Sequence, residues 1–136
     1  MRIQYAVVCH EFQDGQWFGV TNLIGVCHNF VVPIESSQDE SQVVHVNLVV
    51  SLIDGDPGWH NVWVTVRDPC GEISTTVKPL RIDWDKESPT FFTIFEVPLR
   101  ITVVGIYEFN ILVDGEPVGS VPLPVELSPP PGMAND

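Results

Sequence analysis

Two Cys-His doublets stand close together near the amino terminus, Cys9-His10 in YAVVCHEF and Cys27-His28 in LIGVCHNF. Two thiolates and two imidazoles are the donor set of a structural zinc site, which holds its four ligands at about 2.0–2.3 Å. The elements carrying the doublets decide whether they can meet. Both segments read as β-strands, and successive side chains of a strand point to opposite faces. A cysteine and the histidine beside it therefore cannot reach one ion. A turn at Gln13-Asp14-Gly15-Gln16 would pair Cys9 with Val20 or so and leave Cys27 roughly 23 Å away, at ~3.3 Å per residue. The doublets are expected to be small thiols and satisfied or exposed histidines, with no cofactor.

Acidic loops offer a second chemistry. If successive connections of an antiparallel sandwich alternate between its two ends, the loops at 13–16, 54–58, 84–89 and 114–117 share one end. That end would collect Asp14, Asp54, Asp56, Asp85 and Asp114, together with Glu87 and Glu116. Ca²⁺ takes 6–8 oxygen ligands, and clustered carboxylates can supply them. Tight turns also use Asp and Gly for their own geometry. A calcium-dependent binding domain is thus the alternative function.

A third feature is aromatic. Trp59 and Trp63 are four residues apart in GWHNVWVTV, on the face opposite Val62, Val64 and Val66. With that face outward, two large aromatics stand at the surface, where apolar patches mark interfaces. Catalytic signatures are missing: there is no Gly-x-Ser-x-Gly elbow, no phosphate-cradling loop and no His-Glu-x-x-His helix. Asp83 and Asp85 form only a conceivable carboxylate pair. Cys70, in the turn Asp68-Pro69-Cys70-Gly71, is the one thiol expected to be exposed, and no histidine stands near it in sequence. The chain is not expected to be an enzyme.

The elements that must position these residues are strands throughout. Apolar residues recur with period two, and turn residues punctuate them every 8 to 15 positions or so. In IYEFNILVD, Tyr107, Phe109, Ile111 and Val113 share one face. Asp114-Gly115-Glu116-Pro117 is the turn into VGSVPLPVEL, Asp-Gly being a strong hairpin signal. Pro122 and Pro124 remove two donors from one side of that last strand, so it is expected at a sheet edge. VVHVNLVVSL places Val44, Val46, Leu48, Val50 and Leu52 inward. Strands at about 2–12 and 17–32, EISTTVKPLRIDW and PTFFTIFEV complete the set. The expected fold is all-β, a two-layer antiparallel β-sandwich of seven to eight strands over residues 1–127, with 128–136 a disordered Pro-rich tail. Gly105-Ile106-Tyr107-Glu108-Phe109 resembles the tyrosine corner of immunoglobulin-like domains. The immunoglobulin cysteine pair is absent, so the likeness is one of architecture.

With 136 residues the chain has the length of one domain, and its 44% hydrophobic content argues against disorder. Eighteen acidic residues against six basic give a net charge of −12. Such a surface repels nucleic acid and anionic membranes, and leaves proteins or a second copy as partners. The opening MRIQYAVVCHEF is too short and polar for the apolar core of a secretory leader, and no run approaches a membrane span. A cytoplasmic location with reduced thiols is expected.

LIGVC after a Gly-containing turn, DGDPGWH before a strand, VRDPCGE, and VVGIYEFNILVDGEPVGSVPLPV near the end together resemble a family of small uncharacterised bacterial all-β proteins, a domain of unknown function. His10, Cys27 and His28 depart from the acidic or aromatic residues expected after the first two strands. The resemblance implies a β-sandwich and supplies no site. A non-enzymatic interaction or assembly module is the leading function.

Overall fold

The computed structural model describes residues 1–15, 21–27, 30–33 and 42–128. Among them are ten strands and no helix: β1 Arg2–Asp14, β2 Thr21–Val26, β3 Phe30–Pro33, β4 Gln42–Ile53, β5 Gly58–Arg67, β6 Ile73–Thr76, β7 Leu80–Trp84, β8 Thr90–Ile101, β9 Gly105–Val113 and β10 Glu116–Ser128. One sheet has the order β2-β1-β4-β8, the other β3-β10-β9-β5-β6, with β7 also pairing β5. All pairs are antiparallel except β3 with β10.

The alternating residues make the two sheets one sandwich. The first sheet contributes Val46, Leu48, Val50, Leu52, Phe95, Val97 and Leu99 to the core; the second contributes Val62, Val64, Val66, Tyr107, Phe109, Ile111, Leu123 and Val125. Burying one such Val, Leu, Ile or Phe side chain is worth about 1.5–3 kcal/mol. The alternation in IYEFNILVD is realised as expected. Its turn is a two-residue hairpin with Val113 paired to Glu116. Asp114 (φ 51°) and Gly115 (φ 85°) both take the left-handed backbone this turn demands. Gly55 is needed for a different reason: its Cα lies against the Trp84 ring, and a Cβ there would enter that ring.

Ten strands replace the expected seven to eight because two expected strands divide. The stretch 17–32 becomes β2 and β3, which belong to different sheets. The stretch 72–84 becomes β6 and β7, both running along β5. Pro79 lies between them and has no N–H to carry the ladder through. The expected edge position of β10 is also corrected. β3 pairs with it, from Val125↔Phe30 to Ser128↔Pro33, just beyond Pro122 and Pro124. The two prolines confine pairing on that side to the strand's last residues. Ser128 closes β10, and the rest of the expected tail, 129–136, lies outside the described residues.

The pairings β1·β4·β8 in one sheet and β5·β9·β10 in the other match A-B-E against C-F-G of an immunoglobulin sandwich. Tyr107, near the start of β9, makes the corner. Its hydroxyl donates to the Val103 carbonyl (2.7 Å) and accepts the N–H groups of Thr102 (3.2 Å) and Val103 (3.3 Å). The fold is an immunoglobulin-like antiparallel β-sandwich.

Candidate interaction surface

The acidic end was expected to gather five aspartates. Arg2↔Ile53, Gly58↔Trp84, Ile53↔Thr90 and Val113↔Glu116 place the loops carrying Asp54, Asp56, Asp85 and Asp114 at one end of the sandwich. Asp14 is at the other end, since β1 runs the full height from Arg2 to Asp14. The count of connections failed there because the stretch 17–32 reverses once more than expected.

Three of the carboxylates that share this end are engaged one by one. Asp54 is ion-paired with Arg2 at the surface. Asp85 Oδ1 accepts the Glu87 N–H (3.0 Å), closing a turn. Asp114 accepts from the Asn61 N–H (2.9 Å) through Oδ1 and lies 2.7 Å from His60 Nδ1 through Oδ2. Asp56 turns its backbone carbonyl to His60 Nε2 at 2.7 Å. Among the described residues, no three or more His, Cys, Asp or Glu side chains are grouped to hold a metal ion.

His60 was missed in the sequence, although it stands two positions before Val62 on the same, inward face. Both its ring nitrogens meet acceptors, a carboxylate and a carbonyl. Only the doubly protonated imidazolium donates to both. The bond to Asp114, then that to Asp56, raises its pKa from the ordinary 6.5, and the His60 bond lowers that of Asp114. This pair ties the 54–57 loop and the β9–β10 turn to β5.

Trp59 is 60% exposed, and the Arg81 guanidinium lies 4.7 Å from its ring centre. Trp63 is half-buried on the same outer face. Across the sheet it meets Leu112, while its surroundings on β5 and β9 are Asn61, Thr65 and Asn110. Trp84 is buried against Gly55 and Phe91. Trp17 and His28 lie outside the described residues.

The more continuous apolar surface is the outer face of the four-stranded sheet. Its rows follow from register. Tyr5, Ser51 and Phe92 form one; Val7, Val49 and Ile94 the next; Val26, Cys9, Asn47 and Glu96 the third. Ile24 stands opposite Glu11 beyond them. Tyr5 (44%), Val26 (44%), Phe92 (40%) and Ile24 (39%) are exposed. Val49 and Cys9, at the centre of the rows, are fully buried. The first two rows contain no charged side chain. The sequence signal was available in the doublets Val7-Val8, Val49-Val50, Phe91-Phe92 and Ile94-Phe95, because adjacent apolar residues in a strand serve both faces.

At one border of this face β1 parts from β4. Cys9↔Asn47 is the last pair, and Glu11 to Asp14 pair only with β2. The opening is a cleft of about 490 Å³ lined by His10, Glu11, Phe12, Gln13, His45, Asn47 and Glu96. Its imidazoles and carboxylates form local pairs, His10 with Glu11 (3.8 Å) and His45 with Glu96 (3.6 Å). Asn47 Nδ2 bridges the gap by donating to the His10 carbonyl (2.9 Å).

The Cys-His doublets are closer than expected. Cys9 pairs with Val26, and the Cys27 N–H donates to the Val8 carbonyl (2.8 Å). Burial raises the pKa of Cys9, and the nearby Cys27 raises it further; burial also raises that of Cys27. Cys27 packs against the core, on the face of Val8, while Cys9 is on the outer face. Cys9 and Cys27 thus lie on opposite faces of the β1–β2 pair, and the expected 23 Å spacing is corrected.

No protein-family model matches this chain, and no curated protein does either. Among solved structures, it resembles an alkylpurine DNA glycosylase, AlkC of Pseudomonas fluorescens, bound to DNA with an abasic site analogue (15% identity, TM-score 0.42). That match covers 70% of this chain, which spans only 27% of the glycosylase chain. It also resembles an immunoglobulin-like protein of Pseudomonas aeruginosa (13% identity, TM-score 0.37), covering 91% of this chain and 94% of that one. At these scores neither likeness bears on function.

Proposed function

We propose that this chain is a non-enzymatic interaction module, and that the outer face of the four-stranded sheet is its contact surface. One observation carries the reading: Tyr5, Val7, Ile24, Val26, Phe92 and Ile94 share one outer sheet face, whose first two rows lack charge. An apolar face of this kind costs solubility unless another surface covers it. The net charge of −12 makes proteins, and not nucleic acid or anionic membranes, the partners that fit.

The test compares wild type with Phe92→Glu and Val26→Glu as baits, alongside sedimentation at rising concentration. Partners, or self-association, present with wild type and lost in both variants support the reading. Equal capture and equal sedimentation by all three proteins contradict it.

A further inference from the structure

The end strand of the same sheet says which partner the surface takes. We propose that two copies of this chain pair antiparallel through β8 about a two-fold axis at Thr93, so that the two four-stranded sheets become one. The proposal rests on the interaction reading above and names its partner.

β8 is the last strand of its sheet, and no described strand pairs with its far side. Its ladder with β4 runs from Gln42↔Ile101 to Ile53↔Thr90 without a bulge. In a strand, the N–H and C=O of one residue point to the same side, and the side alternates residue by residue. The Pro98 carbonyl accepts the Thr75 hydroxyl of β6, in the other sheet, at 3.2 Å. Pro98 therefore faces away from β4, and so do Glu96, Ile94, Phe92 and Thr90. Among the described residues, no further strand meets the backbone groups of Thr90, Phe92 and Ile94 on that side.

The two halves of this edge differ. From Glu96 onward it carries a charge, a proline and the β6 contact, devices that keep an edge from pairing. Thr90 to Phe95 reads TFFTIF, with no charge, proline, glycine or bulge. Six unguarded residues of high β-propensity form a pairing template.

A second copy is the occupant that this edge fits. Antiparallel pairing about a two-fold is self-complementary: each strand offers the other the same edge. Centring on Thr93 puts Phe92 opposite Ile94 of the second copy and Phe91 opposite Phe95. Aromatic and β-branched cross-strand pairs of this kind are favourable. Glu96 then falls opposite Thr90, so no like charges meet, which matters in a chain of net charge −12. Centring on Ile94 would instead set Pro98, without a donor, into the ladder. The Thr93 axis also joins the apolar outer faces of the two copies, with Phe92 and Ile94 of each at the middle.

The experiment is sedimentation velocity of the full chain over a concentration series, for wild type, Ile94→Pro and Ile94→Lys. The Ile94 N–H points to the open edge, so proline there breaks no bond to β4, as Pro98 already shows. Lysine keeps the N–H and adds charge, and serves if the proline variant fails to fold. The expected result is a wild-type dimer whose dissociation constant rises at least about a hundredfold in both variants, at unchanged circular dichroism. A wild-type dimer that both folded variants retain overturns the edge pairing while leaving association through the face intact. A wild type that stays monomeric throughout overturns the proposal outright, and the bait comparison then decides the wider reading.

Discussion

The Cys27 N–H donates to the Val8 carbonyl at 2.8 Å, which brings the second Cys-His doublet alongside the first. The two thiols nonetheless leave the β1–β2 pair on opposite faces. A disulfide needs converging Cβ vectors, so these cysteines stay free without backbone movement. Cys9 is fully buried with its pKa raised, Cys27 is half-buried and raised, and Cys70 is exposed.

Reactivity runs in the reverse order. Under native conditions an alkylating reagent should modify Cys70 first and Cys9 only when the chain unfolds, since the thiolate is the reactive form. Mass spectrometry of a labelling time course checks this. Early modification of Cys9 would contradict its buried place between Val26 and Asn47.

The His60–Asp114 pair makes stability depend on pH in a definite direction. His60 has its pKa raised in the folded chain, so its contribution is complete below about 6.5 and is lost as pH rises through the raised value. Asp114 has its pKa lowered, so its contribution is present above its ordinary 3.8 and is lost as pH falls through the lowered value. The pair should therefore stabilise most between those limits. Urea unfolding from pH 4 to 9 or so, with wild type and His60→Gln, isolates the effect. The variant should lose the decline on the alkaline side; an identical pH profile would refute the doubly bonded imidazolium.

Tyr107→Phe removes one hydroxyl that serves three backbone partners at the β8–β9 corner. The ring can still fill its core position, so the loss is polar. Leaving those groups unpaired should cost about 1–3 kcal/mol. Denaturant unfolding should show a lower midpoint with an unchanged slope. A midpoint equal to wild type would mean the corner adds nothing.

The inward strand faces were legible because burial imposes period two: Val44 to Leu52 and Tyr107 to Val113 were read directly. Register was not legible. Placing the first turn at Gln13 to Gln16 paired Cys9 with Val20, whereas β1 and β2 pair out to Asp14↔Thr21. Nothing in local composition marks where a strand stops when the residues beyond it are equally apolar, as Trp17, Phe18 and Val20 are. The same blindness merged β2 with β3, and so sent Asp14 to the wrong end. The acidic end was recognised for its charge, but His60, the residue that organises it, needed the register of β5 to be seen. The outer apolar face was not legible, because alternation puts Val49 on the outward side of its strand among the polar His45, Asn47 and Ser51.

Hydrogen exchange at residue resolution tests the central claim most directly. The chain is measured dilute, then associated with itself or with a protein captured through the bait comparison. New protection should concentrate in Tyr5 to Cys9, Ile24 to Val26 and Phe92 to Ile94, on the outer face of the four-stranded sheet. Protection confined to Trp59 to Trp63 and the outer face of the other sheet would contradict it.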